Sequence, residues 1–111
     1  MPQSLAALYC HVIFSTKDRA ALMHKDWRGR LHSYLGGAIN DLGGIPETIS
    51  GVEDHVHLLL GLRATHRLAD AIREIKTSSS KWVHEQVGSS EFAWQEGYGA
   101  FTVSASRIEV V

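Results

Sequence analysis

The stretch IPETISGVEDHVHLLLGL, residues 45–62, decides the fold of this chain. Its first part, Ile45–Gly51, and its last part, His55–Leu62, are rich in the β-branched and apolar residues that strands prefer. Glu53 and Asp54 lie between them and suit a turn. Two such segments so close in sequence predict strands that pair as an antiparallel hairpin. The rest of the chain therefore has to pack around this hairpin.

On the N-terminal side, the sequence predicts one strand and one helix. The segment Leu5–Ser15 is apolar and aromatic but too short for a helix, so we expect the first strand there. From Trp27 to Leu42, apolar residues recur at spacings of three and four, which is the period of an amphipathic helix. Gly43 and Gly44 follow and can adopt the left-handed conformation that ends a helix.

On the C-terminal side, the sequence predicts a second helix and a fourth strand. Thr65 is a candidate N-cap for that helix, and Gly88 is a candidate stop. Tyr98–Ser104 has the composition of a strand, and Ala105–Val111 has that of the start of a further helix. The apolar positions that we expect the second helix to bury are Leu68, Ala71, Ile72, Ile75, Ser79, Trp82, Val83 and Gln86.

The predicted order of strand, helix, strand, strand, helix, strand is that of a ferredoxin-like α+β fold. In this arrangement an antiparallel sheet carries both helices on one face. The other face is then open and available to a ligand or to a second subunit. We expect this open face to carry the apolar side chains of Ile13 and Leu59.

Length and composition limit the classes of protein that this chain can belong to. Its 111 residues predict a single domain over residues 1–111. A net charge of −1 gives no overall positive field, so any contact with nucleic acid has to be local. One cysteine excludes an intrachain disulfide, and no segment is apolar for long enough to span a membrane. We therefore expect a soluble cytoplasmic protein without a membrane partner.

The predicted third strand carries a pair of histidines. Side chains alternate along a strand, so His55 and His57 share a face, whereas Val56 and Leu58 face the opposite side. Imidazole is the commonest metal ligand, but two nitrogen ligands alone make an incomplete site. The histidines are thus either part of a metal site or merely solvated, and Asp54 is either a partner of an imidazole N–H or a turn residue.

Four blocks of the sequence resemble the single-tyrosine HUH transposases of small single-strand insertion sequences and their REP-associated relatives. HUH denotes two histidines separated by one hydrophobic residue. The four blocks are His11–Lys17 with Arg19, Gly51–Leu59, Lys76 with Ser79–Trp82, and Phe92–Ser104.

This resemblance implies a nuclease and strand transferase that acts on single-stranded DNA. A divalent ion, Mg²⁺ or Mn²⁺, would be held by His55 and His57 and would polarise the scissile phosphate. A tyrosine would attack the phosphate, which leaves a 5′ phosphotyrosine and a free 3′ hydroxyl. In the family this tyrosine lies on the helix after the fourth strand, so we expect it shortly beyond Val111. We therefore expect residues 1–111 by themselves to bind DNA and metal without cleaving DNA. The resemblance also implies a homodimer that recognises DNA hairpins.

Several polar residues are candidates for DNA contacts. On the second helix these are Arg73, Lys76, Ser80 and Lys81, and after the first strand they are Lys17 and Arg19. The alternative in each case is a solvated charged surface.

The aromatic residues near the fourth strand could stack a base. These residues are Phe92, Trp94 and Tyr98, and the alternative for Trp94 is packing against the second helix. His11 either supports the histidine pair from the neighbouring strand or lies on the surface.

Two other functional classes remain open from the sequence alone. One is a non-catalytic nucleic-acid-binding module on the same fold, but such sheets show aromatic residues where this chain has His55 and His57. The other is a small metal-dependent hydrolase that uses the same histidines with zinc. For that class Glu53, Asp54 and His11 are the nearby candidates for a third ligand.

Overall fold

The computed structural model describes residues 7–103 and contains four strands and two long helices in that range. Residues 5 and 6 of the predicted first strand, Ser104 of the predicted fourth strand, and the predicted helix over 105–111 lie outside the described residues. The elements are β1 (Ala7–Ser15), α1 (Lys25–Asp41), β2 (Ile45–Gly51), β3 (His55–Arg63), α2 (Leu68–Trp82) and β4 (Gly99–Val103).

The sheet confirms the predicted ferredoxin-like α+β topology. Its strand order is β2-β3-β1-β4, and every neighbouring pair is antiparallel. The two central strands, β1 and β3, turn alternate side chains toward the helices. The core on this helix face is formed by Val12 and Phe14 of β1, Val56, Leu58 and Leu60 of β3, Leu31, Leu35 and Ile39 of α1, and Ala71, Ile72 and Ile75 of α2.

The first helix begins two residues earlier than Trp27. His24 provides the reason, because its Nδ1 accepts a hydrogen bond from the backbone N–H of Asp26 and so caps the N-terminus. The helix ends as predicted before Gly43, which has a φ of +91°.

The second helix begins at Leu68, so the predicted N-cap at Thr65 is wrong. His66 holds the preceding loop, because its Nδ1 accepts from the backbone N–H of Arg63 at 2.9 Å and its Nε2 lies 2.7 Å from the carbonyl oxygen of Leu42. These bonds keep the chain out of helical conformation until Arg67, which occupies the cap position.

The second helix continues into one π-helical turn, Val83–Val87, before it ends at Gly88. Gly88 has a φ of +84°, as the prediction of a glycine stop requires. The wider π turn changes the phase of the helix. Gln86 is consequently exposed, whereas the α-helical spacing predicted that it would be buried.

No helix within residues 7–103 combines the length and the apolar character needed to cross a membrane. The longest helix of this range, α1, has 17 residues and carries charged residues at its start.

Candidate metal and nucleic-acid site

The two histidines of β3 lie side by side on the open face of the sheet, the face against which neither α1 nor α2 packs. The ring centroids of His55 and His57 are 5.0 Å apart. Val56 and Leu58 point to the helix face and are fully buried, as the alternation predicted. Both imidazoles are partly buried, so they are accessible but not fully solvated.

A third histidine joins the pair from β1. The register places Ile13 opposite His57, and His11 opposite Leu59, so His11 and His57 are diagonal neighbours on the open face. The Nε2 atom of His11 is 3.3 Å from Nδ1 of His57, and the ring centroids are 5.3 Å apart. His11 therefore supports the pair, which is one of the two alternatives that the sequence left open.

Asp54 contacts His55 through its side chain and thus does more than form the turn. Its Oδ1 atom is 2.7 Å from Nδ1 of His55, and its Oδ2 atom is 3.4 Å from Nε of Arg19. The hydrogen bond from His55 and the nearby charge of Arg19 lower the pKa of the Asp54 carboxyl. Asp54 is held in place because its carbonyl oxygen accepts the backbone N–H of Thr16 at 2.9 Å.

Arg19 reaches Asp54 from a turn with unusual backbone geometry. Asp18 and Arg19 have φ values of +57° and +55°, in the left-handed region that non-glycine residues seldom adopt. The backbone N–H of Asp18 donates to Oε1 of Gln95 at 2.8 Å, and this bond helps to hold the turn. The sequence placed Arg19 near the site, but the contact with Asp54 depends on this turn.

The donor set fits a divalent ion in part. Burial, followed by the nearby His55 and His11, lowers the pKa of His57 and so favours the neutral imidazole that a metal requires. Within residues 7–103, however, no three or more His, Cys, Asp and Glu side chains are grouped as a metal site would require. His55 and His57 can therefore offer two nitrogen ligands, and further ligands have to come from elsewhere.

The segment from Phe92 to Tyr98, which we term the strap, runs between α2 and the end of β1. Its backbone pairs with β1 and the residues after it, because the N–H of Gln95 donates to the carbonyl of Ser15 and the N–H of Lys17 donates to that of Ala93. The side chain of Lys17 itself is exposed.

Lys76 of α2 fastens the strap from the other side. Its Nζ donates to the carbonyl oxygens of Gln95 at 2.6 Å and of Gly97 at 2.9 Å. Burial lowers the pKa of the Lys76 ammonium, and the charge of Glu96 opposes this effect. The structure thus places Lys76 against protein carbonyls, where the sequence predicted a contact with a DNA phosphate.

Two of the three candidate stacking residues are part of the packed structure. Phe92 is 2% exposed, which leaves no ring face for a base. Trp94 packs edge-on against Phe14 at 4.7 Å, and its Nε1 donates to Oγ of Ser79 at 3.0 Å, so the alternative of packing against α2 is confirmed. Tyr98 is 39% exposed and remains a candidate for stacking.

The residues of α2 that are candidates for DNA contacts line two grooves on the helix side of the sheet. Arg73, Lys76 and Ser80 line an open groove of about 670 Å³ against the strap. Lys81 lines a second groove of about 530 Å³ between α1 and α2, together with Arg73. Of the six predicted DNA contacts, Arg19 lies beside the histidines through its contact with Asp54, whereas the four residues of α2 lie on the other face of the sheet.

The fold and the histidine pair define the class of protein. Residues 4–111 match the family model described as "Transposase IS200 like", which covers nearly the whole chain. The chain therefore belongs to the family of IS200-like transposases, which act in DNA transposition. This family agrees with the resemblance of the four sequence blocks. His55 and His57 on β3 are the two histidines of the HUH pattern.

Two solved structures share this fold. One, from Deinococcus radiodurans R1 and provisionally described as a transposase, has a TM-score of 0.79 and 24% sequence identity, and the match covers 95% of this chain and 86% of that one. The other is a REP-associated tyrosine transposase bound to a REP hairpin, with a TM-score of 0.67 and 12% identity. That match covers 93% of this chain and 60% of the other. No curated protein matches the chain.

Proposed function

We propose that the chain serves DNA transposition by binding single-stranded DNA and one Mg²⁺ or Mn²⁺ ion, which His55 and His57 hold for metal-dependent cleavage of the DNA. The observation that carries this proposal is the pair of partly buried imidazoles on the open face, one of them hydrogen-bonded to a carboxylate. An ion at this position would neutralise the charge that develops on a scissile phosphate. The rival zinc hydrolase needs three protein ligands, and the described residues group no such set.

The described tyrosines are poorly placed to attack a phosphate at the histidine pair. The ring of Tyr9 covers Gly61, which lies four residues along β3 from His57, or about 13 Å. Tyr34 stacks on Trp82 in the helical layer. Tyr98 lines the groove of α2 on the other side of the sheet. We expect a 5′ phosphotyrosine intermediate to use a tyrosine other than these three.

We propose single-stranded or hairpin DNA as the partner and a homodimer as the assembly. The REP hairpin bound to the second structural neighbour supports the first of these. The structure weakens one argument for the dimer, because Leu59 is only 9% exposed and offers little apolar surface. Leu59 is covered because it lies on a central strand between His11 of β1 and Thr48 of β2.

Manganese titration tests the proposed metal site. Mn²⁺ is paramagnetic, so we expect it to broaden the imidazole NMR signals of His55 and His57 before those of His84, which contacts the Phe92 carbonyl on the helix side. The variant His57→Ala should remove most of this selective broadening at His55, whereas His84→Ala should leave it unchanged. Equal broadening of all histidines would contradict the site.

A further inference from the structure

The contacts of His55 and His57 share one feature that determines which nitrogen of each ring can bind a metal. In both rings Nδ1 lies against a protein atom, Oδ1 of Asp54 in one case and Nε2 of His11 in the other. Only Nε2 of each ring is then available to an ion. Because a neutral imidazole carries one proton, each Nε2 can bind only if the proton is on Nδ1.

We propose that Asp54 and His11 are positioning residues that hold His55 and His57 in the Nδ1–H tautomer, so that both rings present Nε2 to one divalent ion. The part of this inference that concerns the metal rests on the proposed function.

For His55, the tautomer follows from the contact alone. An ionised carboxylate can only accept, so the 2.7 Å contact requires a proton on Nδ1 of His55. The guanidinium of Arg19 lies 3.4 Å from the other oxygen of that carboxylate, and its positive charge favours the ionised form. A carboxylate that orients a histidine in this way is a recurring partner of metal ligands.

For His57, the tautomer depends on the direction of its bond with His11. Either ring could donate across the 3.3 Å between Nδ1 of His57 and Nε2 of His11. If His11 donated, Nε2 of His57 would carry a proton and could not bind an ion. The proposed metal site therefore requires that Nδ1 of His57 donates and Nε2 of His11 accepts. His11 on β1 then positions the ring of His57, and His57 on β3 is the metal ligand.

The chain contains two histidines that provide an internal reference. Nε2 of His66 faces the carbonyl oxygen of Leu42, and Nε2 of His84 faces that of Phe92, both at 2.7 Å. A carbonyl can only accept, so these two rings are of the opposite, Nε2–H tautomer. The four rings should therefore divide into two pairs in one spectrum.

The first measurement is the tautomer of each ring from ¹⁵N-resolved imidazole spectra at about pH 8, above the ordinary imidazole pKa of about 6.5. We expect Nδ1–H for His55 without metal, Nδ1–H for His57 with saturating Mg²⁺, and Nε2–H for His66 and His84. An Nε2–H form of His55 would overturn the role of Asp54. An Nε2–H form of His57 with Mg²⁺ bound would overturn the role of His11.

The second measurement uses paired variants. Asp54→Ala and His11→Phe remove the acceptor, whereas Asp54→Asn and His11→Gln keep one. We expect the first two to mix the tautomers and to weaken Mn²⁺ binding about 10-fold or more, the range seen when such partners of ligands are lost. The acceptor-keeping variants should recover part of this loss. Unchanged tautomers and affinity in Asp54→Ala and His11→Phe, in folded proteins with native spectra, would overturn the proposal.

The two measurements separate the failure of this inference from the failure of the proposed function. If the unaltered chain binds neither Mn²⁺ nor Mg²⁺, the metal site is wrong, and with it the role of His11. The tautomer of His55 and its loss in Asp54→Ala then decide the role of Asp54 alone.

Discussion

Lys76, a predicted DNA contact, has a structural role within the protein itself. Its ammonium group donates to two carbonyl oxygens of the strap and lies 5.6 Å from the centroid of the Phe14 ring. A cation in such a place links α2 to the segment that leads into β4. Removal of this cation should therefore lower the free energy of unfolding even when no DNA is present.

We predict that Lys76→Met lowers the free energy of unfolding by about 1 kcal/mol, because it removes two charge-assisted hydrogen bonds while keeping most of the apolar stem. Urea denaturation without DNA measures this loss. The matched control is Lys81→Met on the exposed part of the same helix, which should stay within about 0.5 kcal/mol of the unaltered chain. Equal effects of the two variants would show that Lys76 does not fasten the strap.

At the scale of elements, the β2–β3 hairpin depends on a glycine that has no room for a side chain. A Cβ atom on Gly51 would lie 2.6 Å from the carbonyl oxygen of His55 and 3.1 Å from Cα of Val56. These neighbours are backbone atoms, which cannot move without shifting the strand that carries the histidines.

We predict that Gly51→Ala lowers the free energy of unfolding by about 1 to 3 kcal/mol because of this overlap. Gly37→Ala is the control, since nothing lies within 4 Å of its added Cβ in α1, and it should stabilise the protein by about 0.5 to 1 kcal/mol. Thermal unfolding of both variants checks the pair. A harmless Gly51→Ala would mean that the hairpin turn is looser than the structure shows.

The first helix contains a histidine that should make stability depend on pH. Burial, and then the charge of Arg28, lower the pKa of His32. The unfolded chain therefore binds a proton at higher pH than the folded chain. Stability from this group is fully present above the unfolded pKa of about 6.5 and is lost as the pH falls toward the lower folded pKa.

We predict that His32→Leu makes the free energy of unfolding less dependent on pH between about pH 7 and pH 5, because it removes this difference in proton binding. Urea denaturation at a series of pH values measures the slope of the free energy of unfolding against pH. A change in stability that is the same at every pH leaves this slope unaltered. An unchanged slope would show that His32 titrates alike in both states. His84→Leu, at an exposed histidine of the π-helical turn after α2, serves for comparison.

For the whole molecule, DNA binding depends on where the positive charges lie more than on the net charge. The net charge is −1, yet Arg73 and Lys81 line grooves on the helix side while Arg19 lies beside the histidines. DNA held at the histidine pair would have to pass around the edge of the sheet to meet both sets. The cations of α2 thus belong to a surface separate from the proposed metal site.

We predict that the chain binds hairpin DNA with an affinity that falls as salt rises, with a slope of about −0.7 per phosphate neutralised on single strands. If Arg73 and Lys81 contact phosphates, Arg73→Gln and Lys81→Gln should each reduce the magnitude of that slope by about 0.7. Fluorescence anisotropy with a labelled hairpin measures it, and Lys25→Gln at the exposed start of α1 is the control. Unchanged slopes in both α2 variants would exclude the α2 grooves as the DNA surface.

The amino-acid sequence by itself determined the order of the elements and the phase of the central strands. Its hydrophobic patterns gave β2 with both ends correct and β3 to within one residue. The shared face of His55 and His57 could be predicted because alternation along a strand is a local property. Their use as metal ligands stays a prediction.

Only the tertiary structure decided which residues surround that pair. His11 meets His57 because of the register between β1 and β3, and Arg19 meets Asp54 because of a left-handed turn. Lys76 turns toward the strap because that segment folds back over α2. Strand registers and loop conformations are set by many contacts between residues far apart in the chain. A local sequence pattern therefore does not predict them.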